Sequence, residues 1–221
     1  MADVDDLYIT KMIRKTMLPL NQILPAIAPL AARRTIDAMD TLGAGQMDPR
    51  RYPKIYADML LASMRSDIES SGLEGWRLKK QTNCLHLVNE DTGLYVRMLK
   101  ESRQAPPSAG RNKTRRIAWA QPGLIQQDEL MLEGTNQPLS HVRMIIAWVE
   151  DKGDFQFTAY HTIGTGKYPH GAPTDLAFSI GIEEDEYLHS SFTSTQDEEI
   201  IIPKANLIIT EPSTSTSIGH E

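Results

Sequence analysis

The chain has a single cysteine, Cys84, among its 221 residues. No internal disulfide can form, and no cage of thiolates is available to hold a structural metal. The chain also lacks an apolar run of about 18 residues and a cationic, apolar leader, so nothing in it predicts export or a membrane span. We therefore expect a cytoplasmic protein that has no membrane partner.

An excess of positive charge is missing as well, since the formal net charge is -6. This balance excludes a protein that coats nucleic acid or anionic membrane over its whole surface, because counterion release needs a dominant positive face. Any contact with a polyanion must be local. The length is sufficient for one domain with a sizeable core.

Catalytic signatures are absent too. The six histidines have no spacing of the zinc-helix type. Residues 165–170 contain glycine, threonine and lysine but not in the order of a phosphate-binding loop. The remaining enzymatic hypothesis places a phosphorylated ligand there, with His161 or His170 as acid/base. We expect no metal and no cofactor, and the chain shows no sign of being an enzyme.

Helical spacing of apolar residues dominates the first third of the chain. Leu18-Pro19 is expected to interrupt a first helix, and residues 21–42 fit a second helix with prolines near its start. A third helix is expected to follow Asp48 as its cap and to end at Gly72. We predict a helical N-terminal extension over 1–47, an α+β domain over 48–210 and a disordered tail over 211–221.

After Gly75 the apolar period changes from about four to two, which is typical of strands. Two hairpins are predicted, one around the turn at 89–93 and one around the turn at 151–153, and shorter strands follow at 176–182, 200–202 and 206–210. Helices that precede strands in this way favour the α+β class. We expect the N-terminal helices to pack on a mainly antiparallel sheet built from the two hairpins and the C-terminal strands.

Positive charge is concentrated between the two hairpins, where Glu101 is the only acid. The cations are Arg97, Lys100, Arg103, Arg111, Lys113, Arg115 and Arg116. Prolines within this segment predict a loop. Its guanidinium groups suit phosphates and carboxylates equally, and the alternative is a solvated connector. Trp119 either stacks on a base or, as we expect, anchors the loop in the core.

The order of helix, strand pair, basic linker and strand pair resembles small proteins of phages and actinobacterial prophages that are encoded beside helix-turn-helix or ImmA/IrrE-type metallopeptidase antitoxins. The segments that carry the resemblance are 56–60 in the helix, 85–88 and 94–100 in the first hairpin, 111–116 in the linker, and 142–149 and 155–163 in the second hairpin. The resemblance implies a toxin-like or regulatory effector that a protein partner restrains. It implies no chemistry, and the flanks outside 53–164 depart from the pattern.

Three hypotheses follow. The first is an effector that acts by protein association, in which Arg111, Lys113, Arg115 and Arg116 contact an acidic partner or phosphate while Trp119 orders the loop. The second is a nucleic-acid-binding protein in which the same cations neutralise phosphates. The third is the enzyme with a phosphorylated ligand near His161 and His170.

Overall fold

Two long helices begin the fold in this computed structural model, which describes residues 4–43, 47–80, 85–101, 105–129, 136–167 and 170–189. A short 3-10 turn at Val4–Asp6 leads into α1, Tyr8–Leu42, and α2 spans Pro53–Ser71. None of the described helices is long and apolar enough to cross a bilayer.

Helix α1 is continuous, so the predicted interruption at Leu18-Pro19 is wrong. Three prolines lie inside it, Pro19, Pro25 and Pro29, although each internal proline disfavours a helix by about 3 kcal/mol. Burial of one apolar face offsets this cost. Its fully buried members recur at helical spacing and include Ile9, Ile13, Met17, Leu20, Leu24, Ala28, Ala31 and Met39.

Helix α2 begins with Pro53 in its first turn and ends at Gly72, whose φ of 62° is the left-handed conformation that favours glycine. Asp48 is not its cap. The Asp48 side chain accepts a hydrogen bond from the Arg50 backbone N–H at 2.7 Å, within a turn that precedes the helix. Tyr52 occupies the cap position and makes no side-chain cap.

The strands form one mixed sheet in sequential order. They are β1 (Trp76–Leu78), β2 (His86–Asn89), β3 (Tyr95–Lys100), β4 (Arg143–Asp151), β5 (Asp154–Thr162) and β6 (Thr174–Ile180). All neighbours are antiparallel except β3 and β4, which are parallel. The α+β class is therefore confirmed. Lys152 and Gly153 both have positive φ, of 54° and 94°, as a tight turn between β4 and β5 requires.

The parallel pair forces the chain to travel back along the sheet between β3 and β4. Two short helices lie on this connection, α3 (Lys113–Trp119) and α4 (Leu124–Glu129), and α5 (Glu184–His189) follows β6. The basic segment is therefore a loop only in part: β3 includes Arg97 and Lys100, and α3 begins at Lys113. Asn112 caps α3, because its side-chain oxygen accepts from the Arg115 backbone N–H at 3.0 Å.

The sheet has a different cover on each face. One face, with Val96, Met144 and Phe178, joins α1 and α2 in the larger core cluster. The other face holds a smaller cluster in which Trp119 and Ala109 of the connection pack on β4 and β5. The division at 47 and 48 stays a prediction. The predicted strands at 200–202 and 206–210 and the tail at 211–221 lie outside the described residues.

Candidate anion-binding site

Neighbouring strands place polar side chains on the sheet face that α1 and α2 leave open. His86 of β2 is the register partner of Arg97 of β3, and Tyr95 is the partner of Arg143 of β4. Alternate residues of a strand share a face, so Tyr95 and Arg97 project to the same side. Lys79 extends this row, since its backbone N–H donates to the His86 carbonyl at 2.9 Å.

These side chains line a cavity of about 310 Å³ between the sheet and α3, which we call the basic pocket. The sheet contributes Lys79, His86, Tyr95, Arg97, Arg143, Met144 and Ile145, and the connection contributes Asn112, Thr114, Arg115, Ala118 and Trp119. The volume lies within the range of sites for small ligands, about 300–1,000 Å³.

Four cationic side chains border the basic pocket, namely Lys79, Arg97, Arg115 and Arg143. None of the described residues that line it is Asp or Glu. Like charges that converge in a concave, partly desolvated site focus a positive potential there. The basic pocket therefore has the electrostatics of an anion site, within a chain whose net charge is -6.

Two aromatic rings hold these cations in place. The ammonium of Lys79 and the guanidinium of Arg143 lie 4.9 and 5.5 Å from the centre of the Tyr95 ring. The guanidinium groups of Arg97 and Arg115 lie 5.6 and 5.5 Å from the centre of the Trp119 ring. Contacts of this length are attractive cation–π interactions.

Trp119 anchors the connection to the sheet. It is 2% exposed, and its indole N–H donates to the Pro107 carbonyl at 2.9 Å. Burial of this ring, together with the guanidinium groups beside it, leaves no face on which a nucleic-acid base could stack. The ring therefore positions Arg97 and Arg115 rather than contacting a base.

His86 is the most unusual group of the basic pocket. It is 5% exposed, and neither of its ring nitrogens has a hydrogen-bond partner among the described residues. Burial, reinforced by the positive charges of Arg97, Lys79 and Arg65, lowers the pKa of His86 to about 4. The imidazole is therefore neutral at pH 7, with one N–H and one acceptor nitrogen both unused.

Some of the predicted site residues line the basic pocket and others do not. Arg97, Arg115 and Trp119 line it. Lys100, Arg111, Lys113 and Arg116 are exposed and do not line it, and Arg103 lies outside the described residues. The sequence analysis missed Lys79, His86, Tyr95 and Arg143. A usable signal was the alternation Leu85-His86-Leu87, which places a histidine on the face opposite two leucines.

The two candidate catalytic histidines lie elsewhere. His161 is fully buried in β5 on the opposite face of the sheet, where its register partners are Met144 and Leu176. His170 is exposed in the connection before β6. Neither lines the basic pocket, so the acid/base role stays a prediction.

His161 belongs to a polar network that ties α4 to the sheet. Its Nδ1 lies 2.5 Å from Asp175 Oδ1, and its Nε2 lies 3.3 Å from the Gln127 amide nitrogen. That amide also donates to the Pro122 carbonyl at 2.6 Å, which fixes the orientation of the Gln127 side chain. His161 Nε2 therefore accepts, and Nδ1–H donates to Asp175.

Comparisons with protein families, with curated proteins and with solved structures each find no match for this chain. Within the described part of the chain, no group of three His, Cys, Asp or Glu side chains is placed to hold a metal ion.

Proposed function

We propose that the protein binds nucleic acid and that the basic pocket holds a phosphate group of the strand. The observation that carries this proposal is the convergence of Lys79, Arg97, Arg115 and Arg143 on one cavity that no acidic side chain of the described residues lines. Guanidinium groups pair with phosphate oxygens in a bidentate manner, and the ammonium of lysine adds a point charge.

The surface beside the basic pocket supports a polyanionic ligand over an isolated anion. Asn112, Thr114 and Arg115 line the pocket, while their sequence neighbours Lys113 and Arg116 are exposed on α3. Arg111 is also exposed, just before the helix. Further phosphates of a strand held in the pocket have these cations within reach. The overall acidity confines such binding to this face.

Salt dependence of strand binding tests the proposal. Affinity for a single-stranded 20-mer is measured by fluorescence anisotropy over a salt series, for the unmodified chain and for the double variant R115A/R143A. Loss of two phosphate contacts flattens the slope of log affinity against log salt by about 1.4.

The matched control is R33A/K54A. It removes two exposed positive charges from α1 and α2, the helices that cover the other face of the sheet. The proposal expects this variant to keep the full slope. An equal loss of slope in both double variants, or no strand binding by the unmodified chain at low salt, would contradict it.

We infer a second candidate function, association with an acidic protein partner through the outer side of α3. Ile117 is 69% exposed; it directly follows the exposed Arg116 and lies one helical turn after the exposed Lys113. An exposed apolar side chain ringed by charge is typical of a contact centre. This candidate agrees with the partner-restrained effector that the sequence resembles.

Co-expression with the product of the neighbouring gene, followed by co-purification, tests this second candidate. I117D removes the apolar contact and adds a negative charge that an acidic partner repels. The variant should lose the partner. Recovery of the same partner with I117D would contradict the candidate.

A further inference from the structure

We propose that the basic pocket selects the terminal phosphate monoester of a nucleic-acid strand over the phosphodiesters of the strand interior, with His86 as the residue that discriminates. This proposal rests on the nucleic-acid function above and names the part of the strand that enters the pocket.

The depth of the basic pocket favours a strand end. Two of its lining residues, His86 and Trp119, are 5% and 2% exposed, so the cavity reaches from the surface into the interior beside the sheet. A terminal phosphate is joined to the strand by one ester bond, so the strand leaves the cavity in one direction only. An interior phosphate has two ester bonds, and the two parts of the strand that they join must both leave the cavity past α3 and the β-strands.

The charge of the basic pocket also suits a monoester. Four cations face a single cavity without an acidic neighbour among the described lining residues. A phosphate monoester carries about -1.5 to -2 at pH 7, whereas a diester carries a single negative charge. The monoester therefore gains more from the same four cations.

His86 supplies the contact that a diester cannot use equally well. A monoester has three oxygens free of ester bonds, and a diester has two. The guanidinium groups beside Trp119 and the two cations beside Tyr95 suit two oxygens. The His86 nitrogens are enclosed in the ligand-free protein and have no partner among the described residues, and a turn of the ring brings the N–H to the third oxygen. A buried imidazole that has no partner among the described residues gains a hydrogen bond when the monoester binds.

The test compares strands that differ only at one end. Single-stranded 12-mers carry a 5′-hydroxyl or a 5′-phosphate with the dye at the 3′ end, and a second pair carries a 3′-hydroxyl or a 3′-phosphate with the dye at the 5′ end. We expect one phosphorylated end to bind at least tenfold more tightly than its hydroxyl counterpart. In H86F this ratio should fall to about twofold or less.

Controls separate the source of the phosphate from the fold of the variant. Circular dichroism and thermal unfolding establish that H86F is folded, and R33A/K54A should keep the tenfold ratio. Competition by 5′-AMP and by inorganic phosphate should require concentrations at least tenfold above that of the phosphorylated strand.

Each outcome decides the proposal. Equal affinity of the unmodified chain for the hydroxyl-ended and the phosphorylated strand in both pairs overturns end selection. The proposed strand binding is unaffected by that result. Absence of binding to every 12-mer overturns both proposals. If AMP or inorganic phosphate competes as strongly as the phosphorylated strand does, the ligand is a small phosphate and not a strand end. A tenfold ratio that survives in H86F overturns the role of His86.

Discussion

His86 and Arg97 lie directly opposite one another on β2 and β3, so a buried imidazole that has no hydrogen-bond partner among the described residues shares its sheet face with a guanidinium. Neither the burial of the imidazole nor the adjacent charge favours the folded state of the ligand-free protein. Groups that a fold keeps at the expense of its stability are often the ones that a ligand uses. This relationship gives the first two predictions.

Replacement of His86 by Phe should stabilise the ligand-free protein. The variant removes two buried nitrogens that lack partners and keeps a ring for the edge contact with Tyr95, whose centre lies 5.4 Å away. We expect the free energy of unfolding at pH 7 to rise by about 1–2 kcal/mol, measured by urea denaturation. The control, H170F at an exposed position, should change it by less than about 0.5 kcal/mol. A less stable H86F would mean that the imidazole has a structural role.

Stability should fall with acidity because of the same residue. The pKa of His86 is about 4 in the folded protein against 6.5 in the unfolded chain, so only the unfolded chain takes up this proton between those values. The contribution of His86 is complete above pH 6.5 and is lost as the pH falls toward 4, by on the order of 3 kcal/mol.

Comparison with H86F isolates this contribution from that of other groups. The difference in unfolding free energy between H86F and the unmodified chain should widen steadily from pH 7 to pH 4. Parallel curves for the two proteins across this window would show that His86 does not carry the effect.

Trp119 should couple stability to binding. W119A removes a ring that is almost fully buried and should cost about 3–5 kcal/mol of unfolding free energy. W119F keeps an aromatic face for Arg97 and Arg115 but loses the hydrogen bond to Pro107, at a cost of about 1–2 kcal/mol. W119F should retain most of the affinity for the 20-mer, whereas W119L, which has no aromatic face, should weaken it several-fold. Equal affinity of W119F and W119L for the 20-mer would show that the aromatic ring does not position the cations.

Asp175 should matter for stability and not for ligand binding. It accepts from His161 through Oδ1 and from the Leu124 backbone N–H through Oδ2, at 2.7 Å. An asparagine offers only one acceptor oxygen, so D175N leaves one buried donor facing an amide N–H. We expect a loss of about 2–4 kcal/mol in unfolding free energy. D154N, at the exposed first residue of β5, is the control and should lose less than about 0.5 kcal/mol.

Binding measurements on folded D175N test the role of His161. This network lies on the face of the sheet opposite the basic pocket, so affinity for the 12-mer with the preferred phosphorylated end should not change. A large loss of affinity in a correctly folded D175N would mean that His161 contributes to ligand binding.

The class of the fold and the basic segment could be predicted from apolar period and charge, because both are local properties of the chain. The bounds of α1 could not, since the cost of Pro19 is local while the burial that offsets it depends on the sheet. For the same reason, only two of the four cations of the basic pocket could be predicted. Arg97 and Arg115 belong to the same basic segment, but Lys79 and Arg143 join them only through strand pairing, and no local pattern specifies the parallel register of β3 and β4.

That parallel pair has a consequence for assembly. The connection that it requires is also the wall that brings Arg115 and Trp119 over the strands, so the cavity cannot exist until contacts distant along the chain have closed. A folding intermediate that contains only β1, β2 and β3 has His86 and Arg97 in register but has no site. The basic pocket is therefore complete only after the chain between β3 and β4 has closed over the strands.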